Sequence, residues 1–151
     1  MRIRRNQLTF HNVISTTASC KADEWYLIAR DLRNAVIKNG LYGVGPVIYQ
    51  ASNAENENEE LTFTFYLPVN QKIDIPENKK YQFAEKFEIN DGLVFRHADL
   101  EEPLEESYEL LREAAESLNF VLEEPFYNIY LDVYGESIVD IYAPIIEEHQ
   151  K

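Results

Sequence analysis

The residues able to carry chemistry are few and scattered. His11, His97 and His149 stand far apart, with no short spacing between any two that would let them share a metal ion, so no metal site is expected. His97, at a predicted strand end, is expected to be satisfied by backbone. Cys20 is the single cysteine; it excludes an internal disulfide and fits a reducing compartment. A nucleophile needs a positioned base, and beside Cys20 there is only Lys21. Gly43-Val44-Gly45-Pro46 reads as a turn before a strand, not as a phosphate-binding loop, so no cofactor is implied. Charge is plentiful but one-sided. A formal net charge of −13 argues against nucleic-acid binding, where affinity comes from Lys and Arg neutralising phosphates, and it favours cationic partners. The one basic cluster, Arg2-Ile3-Arg4-Arg5, reads as a solvated end of the chain.

The elements that must position these residues follow from hydrophobic spacing. Residues 7–15 read as a strand with one irregularity, through Leu8, Phe10 and Val13-Ile14. A helix is predicted over 22–39, with Trp25, Ile28, Leu32, Ala35 and Val36 on one face and Asn39-Gly40 as its stop. Two strands, 44–51 and 61–69, follow, joined by a polar loop over 52–60. Residues 70–80 form a connection. Strand material at 81–88 and 93–97 is separated by Asn90-Asp91-Gly92, a hairpin signal. Residues 103–118 form the clearest helix, with Leu104, Tyr108, Leu111, Ala115 and Leu118 in one stripe and Glu101, Glu102, Glu105 and Glu106 at its positive end. Strands at 126–132 and 138–145, turned by Tyr134-Gly135-Glu136, close the chain.

The order strand, helix, strand, strand thus runs twice, with one extra strand before the second helix. Short matches keep the same order. Leu32-Arg33-Asn34-Ala35 answers Leu111-Arg112-Glu113-Ala114, and Gly45-Pro46-Val47 answers Glu124-Pro125-Phe126, both at a shift of 79. Phe65-Tyr66-Leu67-Pro68-Val69 answers Ile141-Tyr142-Ala143-Pro144-Ile145 at a shift of 76. The expectation is an α+β fold of duplicated β-α-β-β units with pseudo-twofold symmetry, an antiparallel sheet and two helices around a central cleft. No linker rich in Gly, Pro or Ser divides the 151 residues, so a single domain is expected, with half-units of about 7–69 and 81–146. No apolar run of about 18 residues and no signal-peptide pattern is present, which points to a cytoplasmic protein without a membrane partner.

The chain resembles the GyrI-like effector-binding domain. The resemblance rests on Phe65-Tyr66-Leu67-Pro68-Val69 and Asp140-Ile141-Tyr142-Ala143-Pro144-Ile145, which end the two halves. It rests also on the run from Val94 to Leu100, on Glu106-Ser107-Tyr108-Glu109-Leu110-Leu111, and on Phe126-Tyr127-Asn128-Ile129-Tyr130-Leu131. It covers Leu8 to Ile146. The resemblance implies a cleft lined by aromatics, with an acidic residue pairing with planar cationic ligands. Aromatic faces attract cations, and a carboxylate in a low-dielectric site favours a ligand that neutralises it. On this chain the matching aromatic positions are Tyr49, Tyr66, Tyr108, Tyr130 and Tyr142. The family acid commonly sits in a Glu-x-Tyr arrangement, and here Asn128-Ile129-Tyr130 stands in its place. Asn128 bonds but carries no charge; Asp132 and Asp140 are the acids that could substitute.

The leading reading is a non-catalytic, cytoplasmic module that binds a planar hydrophobic small molecule, cationic if one of those acids substitutes. Regulators of this kind carry a separate helix-turn-helix domain. A chain beginning at Met1 leaves no room for one, so no direct nucleic-acid contact is expected. The alternative is a protein-interaction or chaperone-like accessory factor, its acidic surface receiving a basic segment of a client protein. A hydrolase on the same fold is the weaker third reading, since the acid such an activity needs is replaced by Asn128.

Overall fold

The computed structural model describes residues 3–53, 60–73, 80–98, 103–133 and 136–149, without the side chains of 53, 132, 133, 136 and 137. Seven strands and two helices make the fold α+β: β1 (Ile3–Lys21), α1 (Trp25–Lys38), β2 (Val47–Asn53), β3 (Glu60–Pro68), β4 (Gln82–His97), α2 (Leu104–Leu118), β5 (Phe120–Leu122), β6 (Tyr127–Val133) and β7 (Glu136–Glu148). Strand pairing within each part of the chain is antiparallel. Neither helix is long and apolar enough to cross a membrane. The expected loop over 52–60 and the turn at 134–136 lie mainly outside the described residues, as do Glu101 and Glu102.

The chain divides into two compact units, Phe10–Phe87 and Met1–Thr9 with Glu88–Lys151. In the first, β3 pairs with both β1 and β2, setting Ser15 opposite Tyr66 and Tyr49 opposite Phe65. Alternation then places Tyr49, Phe63, Phe65, Leu67 and Val69 on the face that α1 covers with Ala29, Leu32 and Val36. Asn39 and Gly40 end α1 as expected. Gly40, at φ 78°, lets its own N–H reach Ile37 O (3.1 Å) and the N–H of Leu41 reach Val36 O (3.1 Å), while Leu41 is buried beneath the turn. β1 is far longer than its apolar residues announced. Its Ser/Thr-rich end, beyond the strand expected over 7–15, pairs hydroxyls across to β3, Thr17 with Thr64 (3.2 Å) and Ser19 with Thr62 (3.5 Å). That face is polar, so no hydrophobic period marks the strand. The irregularity expected near its middle is Asn12, at φ 56°, a conformation Asn tolerates better than most residues.

In the second unit, β7 pairs with β4, β5 and β6. Its core is Leu93, Leu111, Ala115, Phe126, Val139, Ile141 and Ala143. Leu118, expected to extend the α2 stripe, is exposed. The hairpin expected at Asn90-Asp91-Gly92 does not form; β4 runs straight through it. Gly92 serves packing instead of turning. The Tyr142 ring lies over it, and a Cβ there would stand 2.4 Å from the ring carbon Cζ. Arg5 is exposed, as the basic cluster was expected to be, but it is also paired. It forks onto Asp91 at 2.8 and 2.6 Å, reaches Glu148 at 3.1 Å, and lies over the Phe120 ring. β5, only three residues long, is too short to show a period in sequence.

Candidate functional site

Strand alternation sorts the ligand-binding candidates of the second unit by face. Asn128 opposes Ile141 and Tyr130 opposes Val139, so both point to the side where α2 packs. Asp140 opposes Ile129, and Tyr142 opposes Tyr127, on the other side. The backbone of Asp132 pairs with Ser137, but its side chain lies outside what is described.

On the α2 side, Asn128 is fully buried, and its Oδ1 accepts a 2.7 Å hydrogen bond from the Tyr108 hydroxyl. Tyr108 rises from the second turn of α2, with its ring edge-on to Phe126 at 5.5 Å. Burial pushes the Tyr108 phenol up to about 12, partly offset by the Asn128 bond, so it stays protonated and donating at neutral pH. Tyr130 is half-buried against the same core. Beside this pair lies a second one that the sequence did not announce. His97, on β4, and Ser107, on α2, are both buried, with Nδ1 and Oγ 2.7 Å apart. At the exposed edge Arg112 lies over Phe126 and gathers Glu105 (2.7 Å), Glu109 and Glu124 (2.6 and 3.2 Å), which raise its pKa further. Only the Glu-rich first turn of α2 hinted at this cluster.

On the opposite side, Arg96 forks onto Asp140 at 2.8 and 3.1 Å, with the carboxylate the more buried partner. Tyr142 donates to the carbonyl oxygen of Asn6 at 2.8 Å. Burial, aided by the charge of Asp91, raises its phenol to about 12.

The first-unit candidates separate in the same way. Tyr49 lies under α1, stacked on Trp25 with ring centroids 4.8 Å apart and tilted against Phe63 and Phe65. Tyr66 is on the face away from α1, donating to Gln50 Oε1 at 2.8 Å and touching the Phe87 ring at 4.9 Å. Among the described residues no three His, Cys, Asp or Glu side chains converge as metal ligands.

A family described as Domain of unknown function (DUF5085) matches residues 9–147. The chain belongs to that family. No curated protein matches this DUF5085 chain. Among solved structures it is similar to EcmrR, seen by cryo-EM with DNA in the EcmrR-RPo assembly, at 16% identity and a TM-score of 0.75. That likeness covers 97% of this chain but only 58% of the EcmrR chain. The isolated EcmrR C-terminal domain matches end to end, at 15% identity and TM-score 0.72, covering 99% of this chain and 100% of that one. A hydrolase from Listeria innocua follows at 10% identity and TM-score 0.62, covering 95% and 91%. SAV2435 bound to tetraphenylphosphonium matches at 11% identity and TM-score 0.53, covering 96% and 94%. At these identities the likeness is one of fold. A protein seen bound to tetraphenylphosphonium and a hydrolase share this scaffold, so function must be argued from side chains.

Proposed function

We propose that this chain is a non-catalytic, cytoplasmic module of the GyrI-like type that binds a planar, hydrophobic small molecule. The residues assigned to the site are Tyr108, Asn128 and Tyr130, on the side of the second-unit sheet that α2 covers. The carrying observation is the fully buried Asn128 held by the Tyr108 hydroxyl. A buried amide is costly to desolvate, and an apolar side chain of similar size would fill the same space at less cost. Retaining it makes sense where a polar group must meet something of defined shape. The fold shared with the EcmrR C-terminal domain and with SAV2435, which was seen with tetraphenylphosphonium, supports the reading. Aromatic rings beside one fixed polar group are the ordinary composition of a small-molecule site.

Fluorescence polarisation with a panel of neutral and cationic planar dyes tests this. Saturable binding on the order of 1–100 µM, weakened several-fold by Tyr108→Phe and by Asn128→Leu, is the expected result. Failure of every dye to bind would sink the proposal.

A protein client is the second reading, favoured by Tyr42 and Val44, which are exposed on the segment after α1 at 60% and 56%. Isolated exposed apolar residues are common on monomers, so this ranks below the ligand site.

A further inference from the structure

We infer that the outer flank of α1 docks a segment of another protein, one carrying closely spaced carboxylates beside apolar side chains. This surface is separate from the site at Asn128. Tyr26, Arg30, Arg33 and Ile37 are all exposed, and their spacing of four, three and four puts them on one stripe of the helix. Neither arginine has an acid three or four residues away along α1, where a helical ion-pair partner would sit. Asp31 follows Arg30 in sequence but points about 100° around the helix from it. The two arginines are instead neighbours of each other, and like charges so placed repel. They stand before the last turn, so the helix dipole does not call for them. A chain of net charge −13 needs no cations for solubility either.

The sequence match at a shift of 79 supplies the contrast. Tyr26, Arg30, Arg33 and Ile37 answer Glu105, Glu109, Arg112 and Glu116. On α2 that stripe neutralises its own cation, with Glu105 and Glu109 on Arg112. On α1 the acids give way to a tyrosine, a second arginine and an isoleucine. Apolar exposure follows the same division. Among the described residues six large hydrophobic side chains are exposed, and four of them, Tyr26, Ile37, Tyr42 and Val44, belong to α1 or the segment that leaves it. Tyrosine and arginine are the types that most often carry binding energy at protein interfaces. Two guanidiniums about one turn apart complement paired carboxylates, while Tyr26 and Ile37 call for apolar cover. The stripe is roughly 16 Å long at 1.5 Å per residue, matching a helical segment of about three turns. A polyanion fits less well, because the rest of a chain of charge −13 repels an extended phosphate surface. A second copy also fits less well. Its most acidic helix face, Glu106, Glu109, Glu113 and Glu116, brings no apolar side chain to cover Ile37.

The probe is a fluorescein-labelled helical peptide of about 15 residues, with glutamates at helical spacing beside a row of leucines. Binding to the full chain is read by fluorescence polarisation at about 0.05 M salt, where exposed charges are weakly screened. Two control peptides replace the glutamates by glutamine or the leucines by serine. The expected Kd is on the order of 10–100 µM, at least about fivefold weaker for the Arg30→Ala/Arg33→Ala variant, for Ile37→Ala and for either control peptide. Thermal melts separate folding from binding: removing two repelling arginines should leave Tm unchanged or slightly raised. A Tm lowered by several degrees in that variant overturns the inference, because it gives the arginines a structural role. No binding of the peptide, or binding that the arginine variant or the glutamine peptide leaves intact, overturns it as well. Tighter binding of a DNA duplex or of phosphatidylserine vesicles through the same arginines would make the surface a polyanion site instead. Self-association in sedimentation that these variants abolish would seat a second copy there, and either result sinks the inference.

Discussion

The two helix-covered faces solve one packing problem in opposite ways. Under α1 the contacts are ring on ring: Trp25 stacks on Tyr49, and Phe63 stacks on Phe65 at 5.8 Å. Under α2 the corresponding places are polar. At the shift of 79, Tyr49 answers Asn128 and Ile28 answers Ser107. Leu32 and Leu111, and likewise Val36 and Ala115, are buried in both helices. One face therefore draws its stability from apolar burial, while the other gives some of it up for two hydrogen-bonded pairs. Where one core keeps hydrogen-bonded polar groups and its counterpart places a ring and an isoleucine, the polar pairs fix one arrangement of helix on sheet more sharply than apolar filling does.

The largest effect should come from the apolar face. Phe65 is fully buried between Tyr49, Phe63 and Trp25. Phe65→Ala is expected to cost about 3–5 kcal/mol in urea denaturation, through lost burial and a cavity the rigid rings cannot close. A loss under about 1 kcal/mol would mean that the α1 face is not the stabilising one, and the contrast would fail.

Alkaline pH probes the other unit. Tyr108 and Tyr142 both have folded pKa values of about 12 against an ordinary 10. The folded protein thus holds protons that the unfolded chain releases. Stability is intact below pH 10, falls as pH rises, and levels off past 12. By pH 11 each phenol should remove on the order of 1 kcal/mol. The check is urea unfolding at stepped pH, with Tyr108→Phe expected to abolish about half of the alkaline loss. An identical pH profile in that variant would show that the Tyr108 phenol is not buried as described.

Ser107→Ala should act more weakly, costing about 1–2 kcal/mol by removing the hydroxyl that meets His97 Nδ1. Measured beside the Phe65 variant, it gives the relative weight of the polar and apolar faces. A stabilising result would say that the pair serves neither packing nor hydrogen bonding.

Much of the α1 face was legible in the sequence, and less of the α2 face, for a physical reason. Apolar residues at helical or strand spacing report burial directly, so Leu32, Leu111 and both helix spans could be read. A polar residue reports nothing about its partner. Asn128 could be placed on its strand, but its bond to Tyr108 joins residues 20 apart in sequence. His97 and Ser107 are 10 apart, and neither residue type marks a core. Gly92 misled because glycine signals a turn and a close ring approach alike, and only the register of β4 with β7 separates the two.

The smallest expected effect separates the two sides of the second-unit sheet. Asp140→Asn breaks the fork with Arg96, whose side chain is 53% exposed, and should cost no more than about 1 kcal/mol. Asp140 raises the Arg96 pKa, but a guanidinium is charged at every working pH with or without that help, so no new pH dependence should appear. High salt should shrink even this small difference. Dye affinity should not change, because Asp140 points away from Asn128 and Tyr108. A variant that folds normally yet loses dye binding would move the ligand to the Tyr142 side and restore a carboxylate as its partner. A site at Asn128 requires the opposite: affinity that answers to Tyr108 and is indifferent to Asp140.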